Sequence, residues 1–167
     1  MVPLFRLGLG TFVGNPITGY IMLLKTIGRK SGKQRYAPVN YAILDGNIYC
    51  MAGFGKGTHW YRNLQAHPKI EIIMPSGSLA GVSENAPSSE ERLLIIRQLL
   101  KNSGFVGFFT GINPFTISDN QLREKTKEYH LVRITPTGIG NGAGDAGGWL
   151  WILCLFVSLG VLWLVLR

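Results

Sequence analysis

The chain has 167 residues, of which 46% are hydrophobic and 16% charged, with 17 Lys and Arg against 9 Asp and Glu for a net charge of +8. That length makes one ordinary domain with an appendage, and the apolar content is ample for a core. Cys50 lies in an apolar strand-like run and Cys154 in an apolar C-terminal segment, so no disulfide is expected; no Cys/His ligand spacing occurs, so no metal site is expected either.

The positive charge is uneven. Residues 1–70 hold nine Lys and Arg against the single acid Asp45, while the remainder is balanced at eight against eight. The first half is therefore expected to meet an anion: a phosphate-bearing ligand, lipid head groups or nucleic acid. A solvated basic surface is the bland alternative.

In chain order, residues 1–20 are apolar but broken by Pro3, Pro16 and several glycines, which argues against a signal peptide. A short segment packing on the domain or touching a membrane fits better. Tyr20–Ile27 is an apolar run of strand length. Arg35–Leu44 alternates, Asp45–Gly46 is a hairpin signal, and Asn47–Gly53 returns from it. Thr58 caps a helix that carries Trp60, Leu64 and His67 at helical spacing and stops before Pro68. Lys69–Pro75 and Ser78–Ala86 pair across a turn. Ser88–Gly104 is a helix with Leu93, Ile96 and Leu100 on one face, and Glu128–Ile134 is a last strand. Five or six mostly antiparallel strands with two inserted helices predict an α+β chain built on a small barrel.

Gly138–Gly148 has six glycines in eleven residues and reads as a tether. Gly148–Leu166 then runs nineteen residues without a charge, with Trp149, Trp151 and Trp163 near its ends. At 1.5 Å per residue it matches a hydrocarbon core of roughly 30 Å, which predicts a single transmembrane anchor at the tail. The expected organisation is thus an apolar segment at 1–20, the barrel at 21–136, a linker at 137–147 and the anchor at 148–166.

Two stretches could carry chemistry. Gly28–Arg35, "GRKSGKQR", joins two strands through a turn with four cations; with Lys25 that makes five within eleven residues and no acid. Its glycines can leave backbone N–H groups converging on an anion, Arg29, Lys30 and Arg35 supply charge, and Ser31 supplies a hydroxyl. A P-loop needs Ser or Thr after the Lys, and Gln34 follows Lys33. The second stretch, Met51–Leu64, is a strand entering a Gly-rich bend with Lys56 and then a helix start, with Trp60 and Tyr61 as flat surface. No nucleophile–base or carboxylate pair stands out, so a bound cofactor is expected to carry any redox chemistry.

The run GRKSG-x-x-R, a strand ending in a small-residue bend, and then W-Y-x-N-L-x-A-x-P resembles the deazaflavin (coenzyme F420)-dependent nitroreductase family, at Gly28–Arg35, Met51–Gly57 and Trp60–Pro68. The similarity spans roughly Ile21 to Ile134. It implies a split β-barrel of the FMN-binding type, in which Arg29, Lys30, Ser31 and Arg35 meet the cofactor's phosphate and glutamyl tail. Pro38, Val39 and Asn40 with the bend Met51, Ala52, Gly53 and Phe54 would line the deazaflavin. His59, Trp60, Tyr61 and Asn63 would lie on its other side, and Lys56 would stand in the bend. The implied reaction is hydride transfer from reduced F420 to an electron-poor small molecule such as a quinone, a nitro compound or an activated alkene.

Two departures stand out. Phe54 occupies the place where family members often carry Lys, and Gly104–Ser118, with four phenylalanines, stands where substrate-side tyrosines often occur. FMN or haem in the same barrel, or an F420-sequestering protein without turnover, are the alternative readings. Nucleic acid is not expected, because the basic turn lacks interleaved aromatics. With a tail anchor, no cleavable signal and a cytosolic cofactor, the catalytic domain is expected on the cytoplasmic side of a membrane, facing a lipophilic acceptor.

Overall fold

Asp45 and Gly46 both take left-handed backbone, with φ of 48° and 74°. Two successive positive φ values make the tight loop that matches the twist of its flanking strands. It joins β3 (Ala42–Leu44) to β4 (Asn47–Ala52), with Leu44 opposite Asn47. The computed structural model that contains this hairpin describes residues 2–6, 19–53, 57–86, 91–104, 111–142 and 150–166.

The remaining elements are α1 (Val2–Arg6), β1 (Ile21–Ile27), β2 (Gln34–Asn40), α2 (His59–Ala66), β5 (Lys69–Met74), β6 (Gly77–Asn85), α3 (Glu91–Lys101), α4 (Asp119–Lys125), β7 (His130–Ile139) and α5 (Leu150–Leu166). The seven strands among the described residues form one antiparallel sheet in the order β2-β1-β5-β6-β7-β4-β3. This curled sheet with its helices fits the expected split barrel.

Strand alternation explains how the barrel is filled. Met22 and Leu24 of β1 and Ile48, Cys50 and Ala52 of β4 point inward, where they pack with Val39, Ile70, Ile72, Met74, Val132, Ile134 and, from α2, Tyr61 and Leu64. The opposite face of β4 and β7, through Tyr49 and Leu131, is covered by Ile95, Ile96, Leu99 and Leu100 of α3 and Leu122 of α4. Ile21 and Leu23, on the outer face of β1, pack with Ile73 and with Phe5 of α1. The first four residues of β1, Ile21–Leu24, are buried on both faces, which is why that part of the strand is continuously apolar rather than alternating.

Three elements differ from the sequence expectation, the last strand among them, which runs on past the expected Ile134 to Ile139 as β7. Arg35–Leu44 is two strands: the chain breaks at Tyr41, and β2 and β3 occupy opposite ends of the sheet order. Tyr41 N–H donates to the Tyr20 carbonyl at 3.1 Å and Asn102 Nδ2 donates to the Tyr41 carbonyl at 2.9 Å, fixing the crossing. α4 is also new. It is capped by Ser118, whose hydroxyl accepts from Gln121 N–H, and its seven residues are too few to show a period in sequence.

The C-terminal segment requires a correction. No helix among the described residues is long and apolar enough to cross a membrane. α5 has 17 residues and rises about 26 Å, short of a hydrocarbon core of roughly 30 Å. The nineteen-residue run counted Gly148 and Trp149, which lie outside the described residues. The transmembrane helix, the tail-anchored localisation and the membrane partner are therefore not supported, and the cytoplasmic placement that depended on the anchor falls with them.

Candidate functional site

The basic turn between β1 and β2 closes on itself. Gly28 N–H donates to the Lys33 carbonyl at 2.9 Å, and Ser31 and Gly32 N–H groups both donate to the Gly28 carbonyl, at 3.1 and 2.8 Å. Lys33 N–H reaches Ser31 Oγ at 3.4 Å. A Cβ on Gly28 would come within 2.8 Å of Ser31 Oγ, and Gly32 takes φ 65°, so both glycines serve the closure of the turn. The expected cradle of backbone amides does not form, because these donors are used inside the turn.

Asn63 of α2 anchors this turn from the other side. It is 6% exposed, and its Oδ1 accepts from both the backbone N–H and Nη1 of Arg29, each at 3.2 Å. α2 forms because Thr58 enters it in extended backbone and Pro68 follows it, and its turns split the residues by face. Tyr61 and Leu64 enter the core, while His59, Trp60 and Asn63 turn toward the basic turn.

Between them lies a cleft of about 510 Å³, lined by Arg29, Lys30, Ser31 and Arg35 from the turn and β2 and by His59, Trp60 and Asn63 from α2, together with Thr26, Gly28, Tyr36 and Ala37. Lys25 does not join it: its Nζ is held by Glu71 Oε2 at 3.1 Å and by the Gly142 carbonyl at 3.0 Å. No carboxylate pairs with Arg29, Lys30, Lys33 or Arg35 among the described residues.

A second cavity of about 160 Å³ is lined by Val39, Asn40, Met51, Ala52, Gly53, Thr58, Trp60 and Ser103. Trp60 is common to both spaces, so the basic cleft and the strand-end cavity are neighbours across one indole. Seven of the sequence-predicted site residues thus gather in the first space and six in the second, Trp60 being counted in each. Pro38 lines neither. Tyr61 does not either, because its ring stacks on His130 at 4.8 Å and its hydroxyl donates to Asn85 Oδ1 at 2.9 Å. Phe54 and Lys56 lie outside the described residues.

Residues 5–106 match the family described as F420H(2)-dependent quinone reductase, which is more than half of the chain. The chain belongs to that family. It is an F420-dependent oxidoreductase, and coenzyme F420 is its cofactor. Solved structures show the same fold at low identity. A candidate 5-nitroimidazole antibiotic resistance protein from Bacteroides thetaiotaomicron aligns over 71% of this chain and 73% of its own, with a TM-score of 0.52 and 12% identity. A conserved hypothetical protein from Mycobacterium tuberculosis aligns over 77% and 78%, with 0.50 and 18%. HutZ, a heme storage protein from Vibrio cholerae, aligns over 81% and 87%, with 0.50 and 13%.

The residues present suit this cofactor by the chemistry of their groups. An anionic tail needs unpaired cations, and a planar ring needs an apolar slot with a few polar groups; the two adjoining spaces provide them separately. Sequence reasoning passed over Thr26, Tyr36, Thr58 and Ser103. Thr58 carried a signal, but its position before a helix assigned it to capping.

Proposed function

We propose that the enzyme reduces a quinone-like, electron-poor acceptor, with the cofactor's phosphate and glutamyl tail in the basic cleft and its ring in the cavity beyond Trp60. The observation that carries this reading is the convergence of Arg29, Lys30 and Arg35 on one cleft with no acid paired to them among the described residues. Like charges held together repel one another, and a bound polyanion relieves that repulsion. The guanidinium groups match phosphate and carboxylate oxygens two at a time, Lys30 adds a point charge, and Ser31 has a hydroxyl proton to donate.

When bound in its reduced form, the cofactor supplies hydride to the acceptor. The chain's own part is to bind, orient and keep water out. Val39, Met51 and Ala52 give the ring-side cavity apolar walls, Gly53 lets the ring approach the backbone at the strand end, and Asn40 offers a polar edge. Trp60 fixes the junction between tail and ring. The family description supports a quinone as acceptor, and apolar walls beside the ring suit one.

The test is fluorescence titration of the full chain with F420 and, separately, FMN, followed by turnover with quinone and nitro acceptors. F420 binding at micromolar concentration and faster turnover with quinones are expected. The double substitution Lys30→Ala, Arg35→Ala should weaken F420 binding on the order of a hundred- to ten-thousandfold, since each of the two lost charge-assisted bonds contributes about 1.5–3 kcal/mol. Acceptor KM at saturating cofactor should stay unchanged. Wild-type affinity in the double variant would remove the tail from this cleft, and preference for FMN would overturn the cofactor seating.

A further inference from the structure

Thr58 precedes α2 with φ −65° and ψ 119°, the extended backbone of a capping residue, yet its side chain makes no capping hydrogen bond. Its Oγ1 is sealed from solvent and has no hydrogen-bond partner among the described residues. The same side chain lines the ring-side cavity. Two other polar side chains there make bonds of their own: Ser103 Oγ donates to the Leu99 carbonyl at 2.8 Å, and Asn40 Nδ2 commits one amide proton to the Tyr20 carbonyl at 3.4 Å while its amide oxygen remains a polar edge of the cavity. Thr58 is left with a donor and an acceptor unused.

A buried hydroxyl without a partner is destabilising, and a valine would fill the same space without that penalty. Capping does not account for the hydroxyl, since Thr58 does not cap with it. A polar group entering the cavity does. Rotation of χ1 by one staggered step moves Oγ1 into the direction another Cβ substituent held, so the hydroxyl can turn toward the cavity without movement of the backbone. We propose, on the basis of the cofactor seating above, that Thr58 is a ligand-contact residue whose hydroxyl hydrogen-bonds the polar edge of the heteroaromatic ring. The occupant is thereby defined as a planar ring with a carbonyl oxygen or ring nitrogen on its rim, and Thr58 acts on the ring alone, independently of the cations that hold the tail.

Two probes separate ring from tail: intact F420 and the tail-less deazaflavin riboside, which lacks the phosphate and glutamyl groups. Each is titrated against the full chain as wild type, Thr58→Val, Thr58→Ser and Thr58→Ala. Thr58→Val should weaken both probes by roughly three- to tenfold, the range for one neutral hydrogen bond, and should shift the absorption maximum of the bound ring. Thr58→Ser should keep affinity within about twofold and keep the spectrum. Thr58→Val should also leave the free protein's Tm unchanged or raised, whereas a capping hydroxyl would give a lower Tm with no spectral change. Wild-type affinity and spectrum in Thr58→Val overturn the proposal while leaving the cofactor reading intact; should Thr58→Val fail to fold, the same result in Thr58→Ala overturns it. Failure of the wild type to bind either probe overturns both.

Discussion

Cys50 is the fully buried thiol of β4, and burial pushes its pKa up to about 12 from an ordinary 9.0. Its surroundings in the barrel are apolar, so the protonated thiol acts as a small hydrophobe and not as a nucleophile. Because the folded pKa lies above the unfolded one, the folded state holds the proton over a pH window where the unfolded chain has lost it. The associated stability is complete below pH 9 and declines as pH rises toward 12, by at most about 1.4 kcal/mol per pH unit. Cys50→Ala should remove this component of the slope when urea midpoints are compared across pH 8 to 11. Thiol reagents at pH 8 should label Cys50 only as fast as the protein unfolds.

At the scale of elements, α2 is the hinge of the site, since it gives Tyr61 and Leu64 to the core and His59, Trp60 and Asn63 to the cleft. Asn63 is the link through which the helix positions the basic turn, as its side-chain oxygen accepts two hydrogen bonds from Arg29. Asn63→Ala removes two hydrogen bonds from a buried site and should lower stability by about 1–3 kcal/mol. Asn63→Asp keeps an acceptor for Arg29 but adds negative charge to the cleft. It should hold Tm near the wild-type value while weakening F420 binding more than Asn63→Ala does, an order that thermal melts and titration together can check.

The same elements show what a sequence can express. Asp45–Gly46 was legible because a two-residue loop with positive φ leaves a local chemical signature. The gathering of Arg29, Lys30 and Arg35 was legible in the charge of the basic turn, whereas only the family resemblance points to His59 and Asn63, and Tyr61, a flat surface beside Trp60 in sequence, lines neither space. The break at Tyr41 was not legible, because a strand that changes neighbours keeps its alternation and the crossing is fixed by distant groups, Tyr20 and Asn102. Nor was the loss of free amides in the turn legible, since composition does not say which N–H meets which carbonyl. Thr58 was hidden by ambiguity: a threonine before a helix looks the same whether it caps or faces a cavity.

For the whole molecule, the sheet places its two end strands, β2 and β3, next to each other in sequence, so a single residue at Tyr41 carries the chain from one sheet end to the other. That arrangement brings the end of β2 and the end of β4 to one cavity, with α2 across it. Among the described residues, none of α5 lines either site cavity, and its Phe156, Leu164 and Val165 are 68%, 68% and 76% exposed. An apolar surface of this extent is a strong drive to association in water. A chain ending at Gly142 should therefore keep the wild-type F420 affinity and a cooperative thermal transition, and light scattering should show less association than for the full chain. Weaker cofactor binding in the shortened chain would place α5 in the working site, whereas equal association would show that another surface holds the copies together.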